Sequence, residues 1–385
     1  MSSSPESLFY KAALVVAVAS LWGMMAWNGT LAALLVAAWT GKLEDGSALR
    51  TRYTGVPILD FGITVLVAFF YSGTDGSDDV YRLALVDGFA TLQVFYLWLY
   101  AEDILRQQLP RLRRSPTIIK PLVWTLAADM VGGAIALPLY FAEQAKSRAP
   151  QGEGEALVKP RMRKDSILAT AAARALPLSF LLGAVLPLAP FVWPMPNILT
   201  RHQHYGTVAA FVLCPIWVSA FQKLLTAVQI PWLRASPTGP GTTLRALRAA
   251  YIFTAILAAF GHVYAVQALL EKAEGSPWSV LASAYIPPPF RGMAETGRKL
   301  LDGPRLFLLY DCALMPLVSL AWAYCETLSV LEGGSPLRLF SRVAVPLVLL
   351  VAYVVLGAGC TVTLVLFWRE GILLRRSETG RKSAS

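Results

Sequence analysis

Four carboxylic acids stand inside apolar runs of this sequence. They are Asp60 in Leu59-Asp60-Phe61-Gly62, Asp129 in Ala127-Ala128-Asp129-Met130-Val131-Gly132-Gly133, Asp311 in Leu309-Tyr310-Asp311-Cys312-Ala313, and Glu326 in Tyr324-Cys325-Glu326-Thr327. An ionisable side chain in apolar surroundings is costly, so each is a candidate functional group. Such surroundings disfavour the ionised form, so a buried carboxylic acid can keep its proton at neutral pH and give it to a substrate. Asp311 and Glu326 lie 15 residues apart, about 22 Å along one helix, and cannot serve one reacting atom. A working pair has to come from different helices. A structural cap or an interhelical hydrogen bond accounts for each acid equally well. Asp87 and Glu143 lie nearer the ends of their runs.

Other polar and aromatic groups could line a cavity. Gln93, Tyr96, Tyr100 and Asp103 recur three or four residues apart, a polar stripe on one helix face that faces other helices as pocket or as glue. Trp98, Trp124, Trp193, Trp217, Trp278 and Trp322 suit interfacial belts or packing, and their π faces could also stabilise a carbocation. His202-Gln203-His204 is a weak metal-binding signal at a membrane edge. The four cysteines, Cys214, Cys312, Cys325 and Cys360, all lie in apolar runs and read as small buried hydrophobes rather than a disulfide framework.

Missing motifs narrow the chemistry. Asp78-Asp79-Val80-Tyr81-Arg82 lacks the third acid of an aspartate-rich diphosphate motif. The Asp-x-Asp-Asp motif of soluble cyclases, Gly-x-Ser-x-Gly, the phosphate-binding loop and the dinucleotide fingerprint are absent as well. Acid chemistry on an apolar substrate, with no cofactor and no metal, fits what is left.

The elements that must position these groups are transmembrane helices. Of 385 residues, 56% are hydrophobic and 15% charged, against about 25% charged in a soluble domain; the mean hydropathy is +0.53. The expected fold class is all-α, a polytopic transmembrane helical bundle of eight or nine spans. Apolar stretches near 9–27, 56–72, 82–104, 119–142, 167–192, 207–230, 249–270, 305–329 and 343–368 are each long enough for a hydrocarbon core about 30 Å thick. The run 28–40 extends the first span or forms a tenth, short helix. Residues 1–385 read as one multi-pass domain with a basic tail from about 370 to 385 and no separate soluble domain. With early charges only at Glu6 and Lys11 and no cleavage site after Ala19, the first span is expected to be retained.

Pro138, Pro177, Pro187, Pro215 and Pro316 fall inside these runs, where they kink helices and open local space. The loops 143–166 and 271–304 are longer; the second, with Ser276-Pro277-Trp278 and Ile286-Pro287-Pro288-Pro289-Phe290-Arg291, is a lid or an ordinary interfacial loop. The net charge of +10 collects in clusters between spans: Arg106, Arg111, Arg113, Arg114 and Lys120; Lys159, Arg161, Arg163 and Lys164; Arg369, Arg375, Arg376, Arg381 and Lys382. That pattern suits anionic headgroups and argues against nucleic acid. The acidic loop 75–79 and the basic tail place the tail in the cytosol; the cluster at 159–164 then runs against the usual bias.

Leu59-Asp60-Phe61-Gly62 running into Val67-Ala68-Phe69-Phe70, Ala136-Leu137-Pro138-Leu139-Tyr140-Phe141, Pro196-Asn197 with His204-Tyr205-Gly206 and Ile216-Trp217, and Tyr310-Asp311 with Leu320-Ala321-Trp322 follow one another in order. In this order they resemble the fungal integral-membrane terpene cyclases of meroterpenoid biosynthesis, of the ascochlorin and macrophorin type. The resemblance covers roughly residues 55–330. It implies a farnesylated aromatic substrate, often with a terminal epoxide, that enters from the bilayer of the endoplasmic reticulum. It also implies protonation of the epoxide by a carboxylic acid, ring closure through cations, and loss of a proton or addition of water. From intramembrane position, Asp60 and Asp311 lead as acid and base, with Asp129 and Glu326 as alternates; Tyr96, Tyr140 and Trp322 would shape the substrate cavity. Two other classes fit the same acids: a proton-coupled exporter of a small metabolite, and a non-catalytic scaffold for pathway enzymes. No internal repeat supports the exporter.

Overall fold

The computed structural model describes residues 5–108, 120–148, 163–188, 192, 200–234, 239–273, 275–288, 298–331 and 338–382. Among them the chain is all-α, with one isolated bridge between Lys42 and Ala48 and no strand. Six helical stretches are long and apolar enough to cross a membrane: Pro5–Trp27, Asp79–Arg106, Ser166–Leu188, Gly241–Glu271, Lys299–Leu328 and Val343–Ile372. The helices are labelled in chain order. α1 is Pro5–Trp27. α2 is Thr30–Thr40, α3 Pro57–Tyr71, α4 Asp79–Gln108, α5 Pro121–Val131, α6 Gly133–Arg148 and α7 Arg163–Phe180. α8 is Arg201–Val212, α9 Cys214–Leu233, α10 Pro240–Glu271, α11 Pro277–Tyr285, α12 Lys299–Leu331 and α13 Arg338–Lys382.

Among the described residues these six stretches, or seven with one bent pair, are the candidate spans, and the expected eight or nine is not confirmed, for physical reasons. α3 has 15 residues, about 22 Å of helix, which is short of a hydrocarbon core. The run 28–40 folds as a separate 11-residue helix, α2, after Gly29 turns the chain with φ 76°. α8 and α9 meet at a 61° bend, and make a seventh span only if the bent pair is taken as one. The run 119–142 is broken: α5 stops at Val131 because Gly132 has φ 101° and ψ 143°, a conformation essentially restricted to glycine.

α4 is the centre of the bundle, with 83% of its apolar window buried, against 28–61% for the other five stretches. It packs against α10, α7, α13, α12 and α5. Prolines open α3, α5, α10 and α11 at the first helical positions, where no backbone N–H is missed. Thr200 and Gln203 form a capping box that starts α8. Gly357 kinks α13 (φ 78°) against α10, where a Cβ would lie 2.9 Å from His262. The basic residues Arg111, Arg113, Arg114, Lys159 and Arg161, together with Trp193, Pro196-Asn197 and Pro289 to Arg291, lie outside the described residues.

Candidate active site

The break after α5 builds the site. Ending α5 at Val131 leaves its last carbonyls without helical partners, and restarting at Gly133 leaves the first amides of α6 free. Both needs are met by side chains from elsewhere in the bundle. The Trp22 indole N–H donates to the Val131 carbonyl at 2.9 Å. Asp311 of α12 accepts from the Ala134 amide at 2.7 Å and the Gly133 amide at 3.2 Å, one carboxylate oxygen to each. The approach is close. A Cβ on Gly132 would lie 3.1 Å from Asp311 Oδ1 and 3.3 Å from Phe307, and a Cβ on Gly133 would lie 2.2 Å from the Met315 sulfur.

Asp129, in the last turn of α5, accepts a hydrogen bond from the Tyr96 hydroxyl of α4. Asp129 and Asp311 both line a cavity bounded by α1 to α5, α8 and α12, with about 650 Å³ of empty space counted out to its mouth. Asp311 is buried, at 3% exposure, and Asp129 is partly exposed. Met130 also lines the cavity and is largely exposed, so it marks the mouth.

Apart from these two acids, the lining is apolar and rich in rings. Phe70, Phe89 and Phe211 form a triangle with centroids 5.0–5.6 Å apart. Phe307 meets Phe69 at 5.2 Å and Trp22 at 5.9 Å, both edge to face. These distances are those of favourable quadrupole contacts, so the wall is held by the rings themselves. A positive charge formed inside would be met by π systems and by carboxylate, in a space with no other polar lining to divert it.

Three of the seven expected site residues thus come together: Asp129, Asp311 and, through its bond to Asp129, Tyr96. The other four sit elsewhere. Asp60 lies in the first turn of α3, where its carboxylate accepts from the backbone amides of Tyr53 (3.1 Å), Thr54 (2.6 Å) and Gly55 (3.0 Å) and from the Thr54 hydroxyl (2.8 Å). It ties the preceding loop to the helix. Glu326 pairs with Arg369 at 3.0 Å, in a buried cluster with Glu102 and Glu370. Tyr140 accepts from Gln144 at 2.6 Å, and the Trp322 indole donates to the same Gln144 at 3.0 Å. Trp322 stacks on Phe141 at 4.5 Å and Trp98 packs against it, so Tyr140 and Trp322 belong to a second aromatic cluster that joins α4, α6 and α12.

Sequence reasoning passed over Trp22, Phe89, Phe211 and Phe307 as lining residues. Its usable signal was the Gly132-Gly133 pair directly after Asp129, a helix break beside an acid in an apolar run. His202 and His204 are two residues apart on α8. His202 is exposed, whereas His204 is buried and bonds Thr74 at 2.8 Å, so they do not converge on one ligand.

The chain belongs to the CtvD domain family, whose model matches residues 7–374. It is similar to terpene cyclase alnG of Emericella nidulans, 27% identical over 341 residues that cover 83% of this chain and 81% of that protein. It is also similar to terpene cyclase DEP1 of Alternaria brassicicola, 26% identical over 391 residues, covering 96% and 98%. Terpene cyclase ascI of Acremonium egyptiacum is 28% identical over 288 residues, covering 73% and 69%. No solved structure matches the chain. The family expected from the motifs is the one found: fungal terpene cyclases match over most of the length.

Proposed function

We propose that this protein is an integral-membrane terpene cyclase of secondary metabolism. Its substrate class is a prenylated aromatic of the epoxyfarnesyl type, as in meroterpenoid pathways, and its reaction is metal-independent acid-initiated ring closure. One observation carries the reading: Asp129 and Asp311, from different helices, open on one cavity whose remaining wall is apolar and aromatic. An epoxide needs one positioned proton to open, and dry aromatic walls protect the resulting cation from water. The names of the relatives support the class of reaction. In the same reading, residues 1–385 act as one multi-pass unit in the endoplasmic reticulum membrane, with the basic tail of about 370–385 in the cytosol.

The test is a microsome assay. Membranes carrying the protein are incubated with a terminally epoxidised farnesyl-phenol, and products are separated and weighed by mass spectrometry. A new isomer of unchanged mass is expected. No conversion across a series of prenylated epoxides would overturn the reading, and vesicle uptake of the same compounds would then establish an exporter.

A further inference from the structure

We infer that the two acids divide the work, an assignment that rests on the cyclase reading: Asp129 is the proton donor, Asp311 is the fixed carboxylate that takes the final proton, and Tyr96 positions the donor. The argument is geometric. Both oxygens of Asp311 face N–H groups of the first turn of α6, at 2.7 and 3.2 Å. An N–H can only donate, so both bonds favour the ionised carboxylate, while the second lone pair on each oxygen stays open to take a proton. The helix start also carries partial positive charge. That setting fits the carboxylate.

Asp129 is placed the other way round. It stands in the last turn of α5, two residues before the helix ends at Val131, where the carbonyls of the helix end carry partial negative charge. Its Oδ1 accepts from Tyr96 and its side chain lines the cavity, so the transferable proton is assigned to the other oxygen, Oδ2. Two like charges on one apolar cavity disfavour each other, so one of the pair keeps its proton. The break at Gly132 therefore puts the neutral acid near a helix end, at Val131, and the anion against the helix start two residues on, at Gly133.

The proton balance closes within the pair. The Asp129 carboxyl proton passes to the epoxide oxygen, the C–O bond breaks with its electron pair staying on oxygen, and the alkenes close C–C bonds in turn. Asp311 removes a C–H proton from the last cation, and that electron pair becomes the product alkene. Asp129 is then ionised and Asp311 protonated. Return of one proton from Asp311 to Asp129 restores both, so the product is an isomer of the substrate. Tyr96 holds the donor's orientation and bonds the anion left after transfer.

The experiment compares Asp129→Asn, Asp311→Asn and Tyr96→Phe in purified, detergent-solubilised protein, with melting temperature measured for each. Substrate consumption and product pattern are read separately. Asp129→Asn is expected to lower consumption by about 10² or more. Asp311→Asn is expected to go on consuming the epoxide while its products shift toward water adducts and alternative alkenes. Tyr96→Phe is expected to lower kcat about 10–100-fold with KM and product pattern unchanged, a split that a loss of folded protein would not produce. Wild-type consumption by Asp129→Asn, or loss of consumption with an unchanged melting temperature in Asp311→Asn, overturns the assignment. Because Asp311 also caps α6, a variant at that position that does not fold leaves the decision to Asp129→Asn and Tyr96→Phe, which do not touch the cap. An absence of turnover by the wild-type protein overturns the cyclase reading itself and is seen before any variant is made.

Discussion

Gly132→Ala should disable the site while leaving most of the fold standing. The residue has φ 101° and ψ 143°, in a region that costs a non-glycine residue about 1–3 kcal/mol. Its new Cβ would lie 3.1 Å from Asp311 Oδ1 and 3.3 Å from the Phe307 ring. Neither neighbour is free to move. Asp311 is held by two backbone amides, and Phe307 is packed edge to face against Trp22 and Phe69. The contact is relieved only if the carboxylate or the α5–α6 junction shifts. A shift on the order of 1 Å at a reacting group can cost about 10²-fold in rate. The expected result is a fall in kcat of about 10–100-fold with a modest drop in melting temperature. Gly46→Ala is the control, because Gly46 also has a positive φ, 76°, but has nothing within 4 Å of the added carbon. Cyclisation of the farnesyl epoxide and melting temperature are measured on both variants. Equal activity in the two, at similar melting temperatures, would show that the close approach of Gly132 to Asp311 is irrelevant to turnover.

Four further outcomes follow from the same geometry. Asp60→Asn should lower the melting temperature, because its carboxylate ties Tyr53, Thr54 and Gly55 to α3, but should leave turnover per folded molecule near wild type; loss of turnover at an unchanged melting temperature would return Asp60 to the chemistry. Trp22→Phe removes the indole bond to the Val131 carbonyl and should cost about 1 kcal/mol, together with a change in product ratio read by chromatography. His262→Leu removes a buried hydrogen bond to Asp87 at 2.8 Å, leaving Asp87 with the Tyr285 hydroxyl, and should destabilise by about 1–3 kcal/mol, read as lost thermal stability in detergent. Arg369→Met strands Glu102, Glu326 and Glu370 together and should reduce the yield of folded protein far more than Glu326→Gln does.

The class of fold was legible because it rests on composition. Few charged residues and long apolar runs are the pattern of membrane-crossing helices, and six stretches among the described residues are long and apolar enough to be such helices. The number of spans was not legible, because the apolar runs 56–72 and 119–142 look continuous in hydropathy. Length decides the first, since α3 has 15 residues, and a single backbone torsion decides the second. The candidate site was half legible. Asp129 and Asp311 announce themselves as carboxyls in apolar runs, and so do Asp60 and Glu326; hydropathy alone does not rank the four. Position on the cavity separates them: Asp129 and Asp311 line it, and Asp60 and Glu326 do not. Asp60 is spent on loop amides and Glu326 on Arg369, and those partners lie 5–7 and 43 residues away in the sequence.

Asp129 and Asp311 are 182 residues apart in the chain, and no local pattern links them. What joins them is the Gly132-Gly133 break. A continuous helix through residues 119–142 would satisfy its own backbone, leaving no free amide for Asp311 and no open carbonyl for Trp22. Breaking it exposes both kinds of backbone group at the centre of the bundle, where water cannot satisfy them. The sequence supplies an acid for the amides and an indole for the carbonyl, and these bring α12 and α1 against the cavity. The same break that makes the short helix unable to span alone therefore assembles the acid pair and two of its aromatic walls. A glycine pair directly after an acid in an apolar run, with a second such acid elsewhere in the chain, is a signal that sequence reading can use to choose among buried carboxyls.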